Sequence, residues 1–143
     1  MTHPYAVLRE RAHWTLLVAA DLPEGEHGRW YQRLKVMALR RGLTRVERRC
    51  AVAHETHHAL ASDEPTGISY FDARAEAAAD QAAARSLIAL DALTRAVLWA
   101  GHLSEVAEEL DVTLALLTVR LEHLHPTERA HLKRALAQRE EAA

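Results

Sequence analysis

The chain has 143 residues, 49% of them hydrophobic, and a formal net charge of −2. That length is most simply one domain, able to bury a core without disulfides, and the single cysteine, Cys50, excludes an internal disulfide in any case. The near-neutral balance gives no general attraction to nucleic acid or acidic membranes. No run approaches the roughly eighteen apolar residues of a membrane span and no apolar signal-peptide core opens the chain, so a cytoplasmic protein is expected.

Pro4 to Ala12 has helical character, with Tyr5, Leu8 and Ala12 at helical spacing. Trp14 to Ala20 is apolar and β-prone, and Asp21-Leu22-Pro23-Glu24-Gly25 reads as a turn. Further strands are expected over His27 to Tyr31 and over Leu34 to Leu39, where Leu34, Val36 and Ala38 alternate with Lys35, Met37 and Leu39. The three are expected to form a small antiparallel sheet.

Thr44-Arg45-Val46-Glu47 is a capping-box signature, so the next helix starts there and runs to about Leu60. Pro65 and Gly67 make Ser62 to Ser69 a loop. Phe71 to Leu90 is rich in Ala, Arg and Leu, lacks Gly and Pro, and reads as one helix. From Leu93 onward the chain is helical, with starts at Ser104, Thr113 and Pro126, and Arg139 to Ala143 look frayed. The whole is expected to be one α+β domain over 1–143, with the sheet and the chemistry-bearing helices in 1–92 and a helical extension over 93–138 packed on them.

The chemistry is concentrated in His54-Glu55-Thr56-His57-His58. A four-residue step on a helix is about 40° of rotation and about 6 Å of rise, so the rings of His54 and His58 can grip one metal ion. Glu55 lies off that axis, beside the open coordination positions, where a carboxylate can take a proton from water. His57 projects about 100° away from His58 and is expected to be exposed. On the Phe71 helix, Asp72, Glu76 and Asp80 fall at successive four-residue steps and share a face. Glu76 is the best third ligand, and Asp80, one turn on, can accept a hydrogen bond from the ring nitrogen of His54 that does not face the metal. Zinc is the metal that suits two imidazoles and one carboxylate with a position left open. The plain alternative is that the three acids are a solvated helix face.

HETHH at 54–58 followed by EAAAD at 76–80 resembles the gluzincin pairing of HExxH with ExxxD. RRCAVAHETHHAL, EAAADQAAARSLIALDAL and VAEELDVTLALLTVRLEHL together resemble the small ImmA/IrrE-type metallopeptidases, especially short forms carried by phages and mobile elements, over roughly residues 3–136. The resemblance implies a zincin-like helical core beside the sheet, a zinc endopeptidase with His54, His58 and Glu76 as ligands, Glu55 as general base and Asp80 behind His54. It also implies a helix-turn-helix repressor as the protein cut. Two differences from larger members are expected: no DNA-binding domain before the peptidase-like part and no sensory domain after it.

Other readings stay open. Structural zinc sites are usually closed by four ligands, often thiolates. Cys50, four residues before His54, is the one thiol available, and a small buried residue packing the helix is its simplest role. Ser104 to Leu124 has a helix-turn-helix outline, but beside Arg120 and His123 it carries Glu105, Glu108, Glu109, Asp111 and Glu122. Packing is therefore expected rather than nucleic-acid binding. His102, His123, His125 and His131 lack a ligand partner and suit surface or capping roles, while Trp14, Trp30 and Trp99 suit core or half-buried anchors. Tyr70, Arg74 and His57 are candidate oxyanion stabilisers, and Leu34 to Leu39 is the candidate sheet edge for an extended substrate. A module that holds zinc and binds a repressor without cutting it, and a DNA-binding regulator, are the remaining alternatives.

Overall fold

The computed structural model describes residues 3–143; Met1 and Thr2, included in the expected 1–143 unit, lie outside them. Among the described residues the elements run α1 (Ala6–Glu10), β1 (Thr15–Ala20), β2 (Gly28–Tyr31), β3 (Val36–Arg40), α2 (Arg45–Ala61), α3 (Ser69–Leu87), α4 (Leu90–Trp99), α5 (Leu103–Leu110), α6 (Leu114–Glu122) and α7 (Pro126–Ala142). The fold is α+β.

α2 organises the rest, and it starts where local chemistry dictates. The Thr44 hydroxyl accepts from the Glu47 backbone N–H at 3.1 Å, and the Thr44 N–H donates to the Glu47 carboxylate at 2.8 Å. Two N–H groups that a helix start leaves without partners are thereby satisfied. α2 is then buried from two sides. Ala51, Val52 and Ala59 pack with Trp30, Met37 and Leu39 of the sheet. Cys50 and Ala53 join Ala83, Ala84, Leu87, Leu93 and Leu117 in a larger helical core. Ala53, Ala79, Ala83 and Ala84 are small and buried, which suits the close packing of α2 on α3.

The sheet is mixed rather than antiparallel throughout. β3 lies in the middle, antiparallel to β2 and parallel to β1, with the order β1-β3-β2. The alternation of apolar residues marks a strand with a buried face but carries no sign of strand direction, so the parallel pair could not be read from it. The same finding moves the free edge. Leu34 to Leu39 overlaps the central strand, whose Met37, Ala38 and Leu39 are all buried, and it cannot accept another strand. β2 is the free edge beside α2.

Smaller departures have local causes. The helix expected over Phe71 to Leu90 stops at Leu87, and α4 begins at Leu90. The Ile88 carbonyl accepts instead from the Arg120 Nε at 2.9 Å, a contact 32 residues away that no local propensity announces. α7 continues to Ala142 where fraying was expected. Trp30 is buried against Trp14, ring centroids 5.0 Å apart, whereas Trp99 is exposed rather than an anchor.

Candidate metal centre

His54 and His58 project from the C-terminal half of α2, and Glu76 and Asp80 from the middle of α3. The Nε2 atoms of the two histidines lie 3.1 Å apart. Glu76 sets one carboxylate oxygen 3.0 Å from each of them. On the outer side of each ring, Nδ1–H donates to a carboxylate: His54 to Asp80 at 2.8 Å and His58 to Asp63 at 2.9 Å. A carboxylate can only accept, so each neutral ring keeps its proton on Nδ1 and turns the lone pair of Nε2 inward. Two lone pairs and a carboxylate then converge with no donor between them. Such an arrangement repels itself unless a positive charge enters.

The electrostatics of the cluster express the same demand. Burial works against charge on His54, yet Asp80 and Glu76 outweigh it and hold its pKa up at about 10. Burial likewise opposes charge on His58, and Glu76 and Asp63 prevail to raise its pKa. The two imidazoles hold the Glu76 carboxyl far below its ordinary range. The raised imidazole pKa values show a cluster whose charge favours a cation among these side chains. One donor atom from each of His54, His58 and Glu76 lies within 4.8 Å of the others, so these three side chains can hold one metal ion. Two nitrogens and a carboxylate oxygen fit zinc with a position left open.

Glu55 approaches from the sheet side, its Oε1 3.9 Å from His54 Nε2. It is buried, and burial raises its pKa against the pull of both imidazoles, while the Trp30 backbone N–H favours its ionised form. Its place depends on Gly28. A Cβ on Gly28 would stand 2.9 Å from Glu55 Cγ and 3.3 Å from the Ala38 carbonyl oxygen, so any larger residue there would push the carboxylate aside. Nothing in the sequence pattern singled out Gly28.

Asp63 was also missed. It lies just past the end of α2, where Ser62 adopts a left-handed conformation that turns the chain back over His58. The signal available was an acid five residues beyond the second histidine. Asp72, on the Glu76 face of α3, is otherwise engaged: its carboxylate accepts from the Thr66 N–H and hydroxyl and from the Gly67 N–H, tying the loop to the helix start. His57 is half-buried rather than exposed, and neither it nor Tyr70 or Arg74 lines the cleft around the cluster. Cys50 does line it, as a buried thiol whose pKa burial pushes up, outside the three-residue set.

A helix bearing two histidines and a glutamate, crossed by a second helix bearing the third donor, beside a free sheet edge, has the layout of a metallopeptidase. The chain belongs to the peptidase family described as the IrrE N-terminal-like domain, whose family model matches residues 9–122. No curated protein and no solved structure matches it. The matched stretch runs through both histidine and acidic motifs and on to the end of α6. None of the described helices is long and apolar enough to cross a membrane.

Proposed function

We propose that the protein is a zinc-dependent endopeptidase in which His54, His58 and Glu76 hold the metal and Glu55 is the general base. The observation that carries this reading is the convergence of three cation-seeking donors with the Glu55 carboxylate 3.9 Å from one of them. Zinc there would polarise the scissile carbonyl and lower the pKa of a water molecule toward about 7. Glu55 takes the proton from that water as its oxygen attacks the carbonyl carbon. As the C–N bond breaks, Glu55 passes the proton to the departing amine nitrogen. Asp80 and Asp63 keep both rings in the tautomer that turns Nε2 inward.

The substrate adds to β2. The His27 carbonyl accepts from the Arg40 N–H at 2.8 Å, and with Gly28 opposite Leu39 the antiparallel alternation turns the N–H and C=O of Gly28 and the C=O of Trp30 away from β3, while the Trp30 N–H serves Glu55. An extended peptide paired there lies across the metal centre. In keeping with the resemblance in the sequence, the protein cut is a helix-turn-helix repressor, whose cleavage releases phage or stress genes.

Glu55→Gln keeps the shape of the side chain and removes its basicity. Zinc content should be unchanged, and cleavage of a co-expressed candidate repressor should fall by about a hundredfold or more. Cleavage at the normal rate by this variant would exclude the mechanism. Zinc binding and repressor binding without any cleavage by the parent protein would make it a non-enzymatic module.

A further inference from the structure

The two faces of the sheet are treated differently. α2 packs on the face that carries Trp30, Met37 and Leu39, and the cleft around the metal centre, lined from α2, β2 and α6, lies on that side as well. On the opposite face the strand registers set Leu17 beside Ala38 and Tyr31 beside Val36. With Leu22 and Leu34 these side chains border an open groove of about 550 Å³. Leu17 is 52% exposed there and Leu34 71%.

β1 ends this face at an edge that, among the described residues, has no strand beyond it. Its sequence, Thr15-Leu16-Leu17-Val18-Ala19-Ala20, carries no charge and no proline, two of the devices by which edge strands turn a neighbour away. Its one irregularity is a bulge. The register with β3 shifts between Leu17 and Ala20, and Ala19 takes a φ of 66°. Ahead of that bulge the Thr15 N–H donates to the Lys35 carbonyl at 2.9 Å, so the parallel alternation turns the N–H and C=O of Leu16 and Val18 to the open side.

We propose that β1 is the contact between two copies of this chain, paired antiparallel about a two-fold axis at Leu17. Leu16 of each copy then exchanges both backbone hydrogen bonds with Val18 of the other, and the two Leu17 side chains meet on the exposed face with their Cα atoms about 4.5 Å apart. The two apolar grooves join into one band that is withdrawn from water. Charge selects this orientation. Arg9, Arg11 and His13, exposed ahead of β1 and partly offset by Glu10, come alongside the exposed Asp21 and Glu24 that follow β1 in the other copy. Asp21 is held only loosely within its own chain, 3.7 Å from Arg41. A parallel pairing would set each of these groups against its own kind, whereas the two-fold arrangement sets it against its opposite. The bulge at Ala19 confines the ladder to Leu16 and Val18. The joined sheet keeps β2 at both outer edges, so both metal centres stay open, and the pairing holds whatever chemistry they perform.

Sedimentation equilibrium on the full chain should show a reversible dimer of twice the 16.0 kDa chain mass. Its dissociation constant should be on the order of 1 to 100 μM, as suits a small interface. Leu17→Lys sets like charges face to face at the axis and should raise that constant at least about tenfold. Val18→Pro removes an outward N–H, should act in the same direction, and serves if the first variant fails to fold. Because Cys50 is buried, Leu17→Cys should link two chains by a disulfide on mild oxidation, whereas Leu34→Cys, on the same face but away from the axis, should not. A chain that stays monomeric up to about 1 mM overturns the inference. So does a dimer that Leu17→Lys and Val18→Pro both leave intact, or one that Leu34→Cys links as fast as Leu17→Cys.

Discussion

Two tight groups of ionisable side chains in this molecule are built on opposite terms. At His54, His58 and Glu76, two ring nitrogens and a carboxylate face one another across 3.0 to 3.1 Å, and the positive charge they call for comes only from a proton taken up by a ring or from a cation brought in from outside. At Glu128, a buried carboxylate meets the Arg120 guanidinium at 2.7 and 3.2 Å and the Arg85 guanidinium at 3.0 Å, and also accepts from the His125 N–H at 3.0 Å. The second group is complete. It joins α6 to the start of α7 and, through the Arg120 Nε on Ile88, to the end of α3. Both groups depress a carboxylate pKa strongly, so the size of that shift does not tell them apart. What separates them is whether every donor and acceptor already has its partner. A satisfied group holds a fold together, and an unsatisfied one that faces a cleft is a place for a ligand.

The comparison breaks most visibly if metal is irrelevant to the first group. One zinc per chain is expected. At a thousandfold excess over its dissociation constant it should stabilise the fold by about 4 kcal/mol, read as the change in unfolding free energy on adding metal to chelated protein. His54→Ala, His58→Ala or Glu76→Ala should each abolish most of this gain and most of the bound zinc. Asp72→Ala should retain both, because its carboxylate serves the Thr66 to Gly67 loop. Zinc retained in Glu76→Ala and lost in Asp72→Ala would reverse the assignment of the third ligand.

The second group should respond in the opposite manner. Arg120→Ala strands a buried carboxylate and should cost about 3 to 5 kcal/mol of folding stability, with the zinc content of the folded fraction unchanged. Glu128 also gives this region a pH dependence. Arg120 first, then the His125 N–H and Arg85, hold its folded pKa below the unfolded value of about 4.3, so its stabilisation is fully present above that value and lost as pH falls toward the folded one. In urea titrations the stability difference between the parent protein and Glu128→Gln should therefore be wide at neutral pH and narrow in acid. A difference independent of pH would mean that Glu128 acts by packing rather than by charge.

The finest distinction lies between the two carboxylates behind the histidines. Asp80→Ala and Asp63→Ala should each weaken zinc binding by about 10- to 100-fold in competition with a chelator, since each frees one ring to turn or change tautomer. A solvated surface charge would instead leave zinc affinity unchanged and move unfolding by no more than about 0.5 kcal/mol. An effect of Asp80→Ala without one from Asp63→Ala would restrict the orienting role to the carboxylate that lies on α3.

The sequence determined by itself those features whose causes lie within a turn or two of helix. Thr44 and Glu47 are three residues apart and set the start of α2 through mutual hydrogen bonds. His54 and His58 are placed by helical pitch alone, and the four-residue step from Glu76 to Asp80 puts a donor and its supporting carboxylate on one face. The residues brought together in the cleft were legible on that basis, and the family through the resemblance of both motifs and the segments around them. Tertiary structure decided the rest. Strand order is invisible to alternation, so only the packed sheet made β3 central and left β2 as the edge beside α2. Gly28 matters because Glu55, 27 positions later, lies against it. The end of α3 at Leu87 depends on Arg120, and the place of α6 beside the metal site depends on Arg45 and Arg49 reaching Asp111 more than 60 residues away. Local spacing fixes which side chains share a helix face, but which face meets which is settled only when distant segments bury their apolar surfaces together, and only that packing turned α6 into part of the cleft.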